Sequence, residues 1–521
     1  MPEPDLKAAA AAVELAREVV ERCAAGLGDI DDNQVVAYDL AHAAAAVEIA
    51  RSVLDYGALG DVEARLACAY VADAVHDVAS RILGREDAWD VEPAALAPAL
   101  PFVGAYRAPS FLAPLAGEEG PRHLDADFEL VQETFRRFAE DKVRPAAEHV
   151  HRTNGDIPEE IIEGLAELGG FGLSVPEEYG GFAAGGESDY LGMVIATEEL
   201  SRGSLGVGGS LITRPEILTR ALVRGGTEEQ KREWLPRIAA GELMVAVAVT
   251  EPDFGSDVAN LKLAARRDGG DWVVNGVKTW CTFAARADVL MLLARTDPDR
   301  SKAHRGLSLF VVPKARGEGH GFDFGQEGGG RMQGRAIDTI GYRGMHSYEV
   351  AFEDWRVPAA NLIGGDEGLG RGFYLQMEGF ENGRLQTAAR AVGVMQAAYE
   401  AARQYAGERV VFGRPVAEYQ LTRVKLARMG VMIQASRQFM YQVARLMAKG
   451  EGALEASMVK AYVCRAAEWV TREAMQVHGG MGYAEEFPVS RYFVDARVLS
   501  IFEGADETLA LKVIARRLAE R

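Results

Sequence analysis

Glu503 follows Ile501 and Phe502 and precedes Gly504 and Ala505 in IFEGADE (501–507). A carboxylate between large apolar and small residues is either a surface turn or a buried base that takes a proton from substrate. TEPDFGSD (250–257) sets small residues and hydroxyls after an apolar run. Its backbone N–H groups and the Thr250 and Ser256 side chains either meet a heteroaromatic ring and a phosphate or form a polar β-turn. Arg409, in ERVVFGRPVAEYQ (408–420), is a planar fork suited to a pyrophosphate. Gly479 and Gly480 lie in QVHGGMGY (476–483), which by itself reads as a helix-ending turn. Thr213 and Arg214, in GGSLITRPEILTR (208–220), offer a hydroxyl and a cation to a carboxylate, or else form an ordinary helix end.

These residues need elements to hold them. Residues 1–90 have apolar positions at helical spacing and predict three Ala-rich helices, with breaks at GLGDIDDN and YGALGD. A Pro- and Ala-rich stretch then reads as a linker crossing a surface. Helical periodicity returns from Asp125 and runs to TEEQKREWLPRIAAGE, where Thr227 opens a capping pattern ahead of Glu229 and Gln230. The period then changes to that of strands. LMVAVAVT, DVLMLLART, GLSLFVVP and YEVAFEDWRVP are β-prone, and Asn275-Gly276 in WVVNGVKTW predicts a hairpin. Long helical segments follow GGDEGLGRG. The expected domains are a helical extension (1–98), a linker (99–123), a helical domain (124–243), a β-domain (244–362) and a C-terminal helical bundle (363–521).

There is also an internal repeat. EARLACAYVADAV (63–75) and EASMVKAYVCRAA (455–467) share Glu, Ala, Ala, Tyr, Val and Ala at aligned positions. Upstream, NQVVAYDLAHAAAAVEIARS loosely parallels YQLTRVKLARMGVMIQASRQ. Either Ala-rich helices align by chance, or the extension is a degenerate copy of the C-terminal bundle. The copy lacks GGMGY and FEGA, which makes it structural, not catalytic.

Composition removes several function classes. A formal net charge of −20 opposes binding to nucleic acid or an anionic membrane. No apolar run is long enough for a transmembrane helix, and the acidic, helical N-terminus lacks the pattern of a signal peptide. The four cysteines lie far apart with no CxxC, and the nine histidines show no HxxxH or HExxH spacing. Reduced thiols, a cytoplasmic location and no metal site are therefore expected.

VTEPDFGSDVANL (249–261), NGVKTWCTFAARAD (275–288), ERVVFGRPVAEYQ, QVHGGMGY and IFEGADE occur in that order. Together they resemble the acyl-CoA dehydrogenase family, from about Asp125 to Arg521. The resemblance implies an α+β, mostly helical fold: an N-terminal helical domain, a middle β-barrel-like domain and a C-terminal four-helix bundle. FAD is the implied cofactor. Val249, Thr250, Gly255 and Ser256 would contact the flavin, with Ser256 also near the CoA pyrophosphate. Trp280 and Thr282 would lie against the isoalloxazine ring. Cys281 stands where relatives often carry Ile and reads as a small buried residue. Arg409, Phe412 and Gln420 would reach the FAD of a neighbouring subunit, and Gln476, Gly479 and Gly480 its adenosine part. Ala505 and Glu507 belong to the same cofactor set.

In the family a carboxylate takes the α-proton of a thioester while flavin N5 takes hydride from the β-carbon. Glu503 matches the commonest position of that base. The rival position, directly before an arginine, is Gly383 here, ahead of Arg384. Phe502, Gly504, Glu381 and Arg384 are substrate-side candidates; Arg384 contacts CoA or pairs with Glu381.

Four strings narrow the resemblance: TWCTFAARADVLMLLARTDP, AIDTIGYRGMHSYEVAF, GRLQTAARAVGV and IFEGADETLALKVIARRL. They are similar to the branch that oxidises (2S)-methylsuccinyl-CoA to mesaconyl-CoA in the ethylmalonyl-CoA pathway and passes electrons to electron-transfer flavoprotein. Arg214, with Thr213, would hold the distal carboxylate. Rivals are a glutaryl-CoA or another short or branched acyl-CoA dehydrogenase, an oxidase, and a DNA-associated alkylation-response flavoprotein. A homodimer is expected if the extension covers the surface that otherwise joins dimers, and a tetramer if it does not.

Overall fold

The computed structural model describes residues 2–92 and 94–520. The extension is three helices, α1 (Leu6–Gly26), α2 (Gln34–Gly57) and α3 (Asp61–Ile82). Their breaks fall at the two Gly-rich strings. Short helices α4 (Leu100–Tyr106) and α5 (Pro109–Leu112) follow. Next come α6 (Ala126–Phe138), α7 (Arg144–Thr153), α8 (Glu159–Glu167), α9 (Ser188–Gly203), α10 (Thr213–Gly225) and α11 (Glu228–Ala239). The strands are β1 (Val245–Ala248), β2 (Ala264–Asp268), β3 (Asp271–Thr282), β4 (Val289–Arg295), β5 (Leu307–Pro313), β6 (Gly321–Gly325), β7 (Arg331–Ile337) and β8 (Ser347–Pro358). The chain ends with α12 (Gly372–Glu408), the hairpin β9 (Val410–Val411) and β10 (Arg414–Pro415), then α13 (Gln420–Ala448), α14 (Ala453–Val477), α15 (Gly480–Tyr483), α16 (Val489–Leu499), α17 (Asp506–Thr508) and α18 (Arg516–Ala519). Among the described residues no helix is long and apolar enough to cross a membrane. The chain divides into two compact units, residues 1–130 with 387–521, and residues 131–386.

In the second unit the eight strands form one open sheet, a half-barrel, in the order β1-β4-β2-β3-β8-β7-β6, with β5 paired to β4. β4 is buried along its whole length and β5 nearly so, which explains their continuous apolar runs. Asn275-Gly276 does not make the expected hairpin. β3 runs straight through it, and the turn to β2 is Gly269-Gly270, between paired Asp268 and Asp271. The ladder to β8 slips between Val274 and Gly276, a β-bulge, with Gly276 at φ +139°. The Asn275 amide donates to Asp354 Oδ1 and its carbonyl accepts from the Asp354 N–H, each at 2.9 Å, so the side chain fixes the bulge. The capping expectation holds: Thr227 and Gln230 form a reciprocal box at the start of α11. The Gln230 amide also donates to the carbonyls of Ala360 and Leu362, 2.7 Å each, joining α11 to the segment after β8.

In the first unit, α2 packs on α13 and α14, and α3 packs on α13. Residues that the repeat aligns meet each other. The Tyr70 and Tyr462 rings stand edge to face at 6.0 Å. A cavity of about 450 Å3 beside them is lined by aligned partners, His42 with Arg428 and Asp73 with Arg465. The Pro- and Ala-rich segment, expected as a linker crossing a surface, is packed. It folds into short helices whose Phe111, Leu112 and Leu115 are buried. Arg423 donates to Ala113 O at 3.1 Å and Gln434 to Pro121 O at 2.9 Å, so α13 holds its backbone.

Candidate active site

In the first unit, Glu503 lies in the turn between α16 and α17 and has φ +54°, followed by Gly504 at +100°. Its side chain is 9% exposed, and both oxygens are engaged. The wholly buried Arg390 guanidinium donates to Oε1 at 2.8 Å, and the Thr387 hydroxyl donates to Oε2 at 2.8 Å. Arg390 also donates to Thr387 Oγ1 at 2.7 Å, closing a three-residue ring of bonds, and lies 4.7 Å over the Phe502 ring. Lys460, buried in α14, donates to Gly504 O. Glu503 is thus a buried, bonded carboxylate and not a surface turn. Ala505 is half-buried and Glu507 exposed. Asp506 is the buried first residue of α17. Its carboxylate accepts from Tyr38 and His42 of the extension. Thr387 and Arg390 escaped the sequence reading. The available signal was spacing, because Gly383, Thr387 and Arg390 stand at i, i+4 and i+7, one face of α12.

In the second unit, Val249–Ser256 leaves the end of β1. Glu251, within it, is buried and accepts from the Lys262 and Leu263 N–H groups at 2.8 Å each, and from Lys278 Nζ at 3.0 Å. Lys278 also donates to Val249 O at 2.8 Å. Burial pushes its ammonium down to about 8, against the pull of Glu251. The Thr279 N–H donates to Thr250 O at 2.8 Å, which brings Trp280 and Thr282 to the same loop. Trp280 falls where β3 slips register against β8, has φ +57° and is 55% exposed. Thr282 is buried, with its hydroxyl 2.9 Å from Ser347 Oγ. Cys281 is buried and its thiol is pushed up to about 12 by desolvation. Gly255 and Ser256 are exposed, and a Cβ on Gly255 would meet only Thr250 Cγ2, at 4.0 Å. An exposed indole, a glycine backbone open to close approach and a loop held from behind suit a flat ring and its phosphates.

The same unit holds Thr213 and Arg214 at the start of α10. Arg214 is 6% exposed, yet among the described residues no carboxylate lies within ion-pair distance. Its one hydrogen bond is a long 3.5 Å contact with Ser210 O, and the Tyr342 ring lies 5.9 Å from its guanidinium carbon. Thr213 Oγ1 and Asn382 Oδ1 are buried without a hydrogen-bond partner among the described residues, as is the Gln376 amide. α10 and α12 touch at Ile217 and Gly379, and these groups lie about one turn from that contact. A buried cation with so little answering charge is costly unless an anion completes it. Glu381 is half-buried with no ion pair, so the expected alternative of an Arg384–Glu381 pair does not form.

Back in the first unit, Arg409, Phe412 and Gln420 surround the β9–β10 hairpin, all exposed. Phe412 (φ +50°) and Gly413 (φ +84°) make its tight turn, and Phe412 is 95% exposed. Gln476, Gly479 and Gly480 are exposed at the end of α14, and a Cβ on either glycine would meet no atom.

Helices, an open sheet and a second helical set, with a buried carboxylate and a clamped flavin-type loop, define a flavin-dependent carbon–carbon dehydrogenase. The chain belongs to the acyl-CoA dehydrogenase family and is an FAD-dependent oxidoreductase: models of that family's N-terminal, middle and C-terminal domains match residues 125–242, 246–355 and 370–519. It is 46% identical over 402 residues to (2S)-methylsuccinyl-CoA dehydrogenase of Cereibacter sphaeroides, covering 77% of this chain and 71% of that one. It is 35% identical to an acyl-CoA dehydrogenase of Bacillus subtilis, over 74% of this chain and 96% of that one. A glutaryl-CoA dehydrogenase from Mycobacterium smegmatis, solved in complex with FADH2, superposes with a TM-score of 0.67 at 28% identity, over 78% of this chain and 98% of that one.

Proposed function

We propose that this enzyme oxidises (2S)-methylsuccinyl-CoA to mesaconyl-CoA, as in the ethylmalonyl-CoA pathway. The observation that carries the substrate class is Arg214, a buried guanidinium with no carboxylate among the described residues to answer it. A substrate ending in a carboxylate supplies the missing charge, and Thr213 adds a hydroxyl beside it. Glu503 is the base for the α-proton. Its carboxylate exchanges the Thr387 bond for that proton, while Arg390 holds the other oxygen in place. The backbone N–H of Glu503 serves the thioester oxygen, where negative charge grows. Bound FAD supplies the hydride acceptor. Val249, Thr250, Gly255, Ser256, Trp280 and Thr282 orient its ring, and Arg409, Phe412, Gln420, Gln476, Gly479 and Gly480 serve the distal end of an FAD in a second copy.

The relative of highest identity among those described above is named for this substrate, which supports the reading. Electron-transfer flavoprotein is the proposed acceptor. The extension, a degenerate copy of the C-terminal helices, takes the place of a second dimer, so the enzyme is a homodimer. A tetramer by light scattering would reject that assembly. Anaerobic bleaching of the bound flavin by a panel of acyl-CoAs tests the substrate. Methylsuccinyl-CoA should bleach fastest. Preference for butyryl-CoA overturns the dicarboxylate reading, and preference for glutaryl-CoA moves the enzyme to the decarboxylating branch.

A further inference from the structure

The extension reaches the loop that carries the base. Tyr38 and His42, one turn apart on α2, both meet Asp506. The Tyr38 hydroxyl donates to Asp506 Oδ2 at 2.5 Å, and His42 Nε2 stands 3.2 Å from the same oxygen. An ionised carboxylate only accepts, so the imidazole carries its proton on Nε2. The two rings pack edge to face at 4.6 Å. Both His42 and Asp506 are buried, and a buried carboxylate persists only when it is bonded.

Asp506 stands three residues after Glu503. Its backbone N–H donates to Ser500 O at 3.1 Å and closes the loop around the base. That loop does not support itself, because Glu503 and Gly504 are both left-handed. For a residue with a side chain this conformation is strained and persists where surrounding contacts impose it. Lys460 imposes it from α14, through Gly504 O. The extension imposes it from the other flank, through Asp506. The shared family region starts at residue 125, so Tyr38 and His42 lie outside it and this grip belongs to the extension.

We propose that Tyr38 and His42 are positioning residues for the dehydrogenation: through Asp506 they fix where the Glu503 carboxylate stands. This rests on Glu503 being the base. An ångström of misplacement in such a group is worth up to about a hundredfold in rate. The extension is then part of the machinery that aims the proton transfer as well as part of the assembly.

The test uses the FAD-loaded full chain carrying His42→Leu, His42→Gln or Tyr38→Phe. The readouts are kcat, KM, flavin absorbance and the isotope effect with methylsuccinyl-CoA and butyryl-CoA deuterated beside the thioester. His42→Leu should lower kcat about tenfold, within the range that misplacement allows. It should also raise the isotope effect, with KM and flavin content unchanged. His42→Gln, whose amide N–H replaces Nε2–H, should recover most of the rate. Wild-type kcat and isotope effect in His42→Leu would overturn the proposal, whatever its melting temperature. If His42→Leu does not fold, Tyr38→Phe decides alone, and an unchanged isotope effect there overturns it equally. Glu503→Gln separates the two claims. If that variant still bleaches, the base assignment fails. If it does not bleach and the α2 variants behave as wild type, only the positioning role fails.

Discussion

Arg390 and Arg214 are both buried arginines on long helices, and they differ in what answers their charge. Arg390 is paired at 2.8 Å with Glu503 and bonded to Thr387 as well. Arg214 has a carbonyl at 3.5 Å and, among the described residues, no carboxylate. A paired arginine inside a protein acts on its partner, holding a carboxylate in place. An unanswered one acts on something that arrives. Under the proposed function the first serves the chemistry common to every acyl-CoA, and the second the choice among them.

Four substitutions or conditions break or sharpen that contrast. Glu503→Gln should abolish the reaction almost completely, by at least about a hundredfold, the usual range for a general base. FAD content should stay normal, and substrate bleaching checks both. If bleaching survives intact, Glu503 is a turn residue and Arg390 merely structural. Arg390→Met removes the charge that answers a buried carboxylate, which costs about 3 kcal/mol or more. Urea unfolding of the holoenzyme should show that loss, with lowered turnover on all acyl-CoAs alike. Arg214→Ala should do the opposite: stability should hold or rise, since an unanswered buried charge is removed. Its kcat/KM should fall for methylsuccinyl-CoA by about thirtyfold, the equivalent of roughly 2 kcal/mol for a desolvated charge pair, and stay within a few-fold for butyryl-CoA. Equal loss on both substrates would remove the carboxylate role.

The smallest effect concerns pH at the extension. Burial pushes the His42 imidazole below its ordinary 6.5, against the pull of Asp506. Burial raises the Asp506 carboxyl, and the bonds from His42 and Tyr38 outweigh it, holding it below 3.8. Both groups bind protons more weakly when folded, so the unfolded chain takes up more protons and stability falls as pH falls. The His42 contribution is complete above 6.5 and is lost as pH drops through its lowered value; that of Asp506 is lost only in stronger acid. Urea midpoints at pH 7.5 and 5.5 should separate wild type from His42→Gln, which lacks the first component. Equal pH slopes in the two proteins would show that His42 does not titrate in this window.

Much of this was legible beforehand, for local reasons. Helix breaks, the Thr227 box and the β-prone runs depend on residues a few positions apart. The choice of a buried carboxylate over a surface turn at Glu503 was open in a short, contiguous string, and the structure decides it. The failures have a common physical cause. Asn275-Gly276 has hairpin chemistry, but its partner is Asp354 across β8, so the same residues make a bulge. The partner of Asp506 is Tyr38, 468 positions away, which no local pattern shows. Arg390 sits in an Ala-rich helix and gains its meaning from Glu503, 113 residues on. Periodicity reports a residue's face, and only the tertiary fold reports who faces back.

The Tyr70–Tyr462 contact has a consequence for how this face is able to change. Where two identical chains meet across an axis, every substitution arrives twice and like charges confront like. Here the two sides are written separately in one gene. Asp73 accepts from Arg107 at 2.6 Å and Arg428 at 3.3 Å, while its aligned counterpart is Arg465. His42 serves Asp506, while its counterpart is Arg428. Each side can change alone, so the extension supplies an anion to the bundle's Arg428 and still keeps His42 for a separate contact.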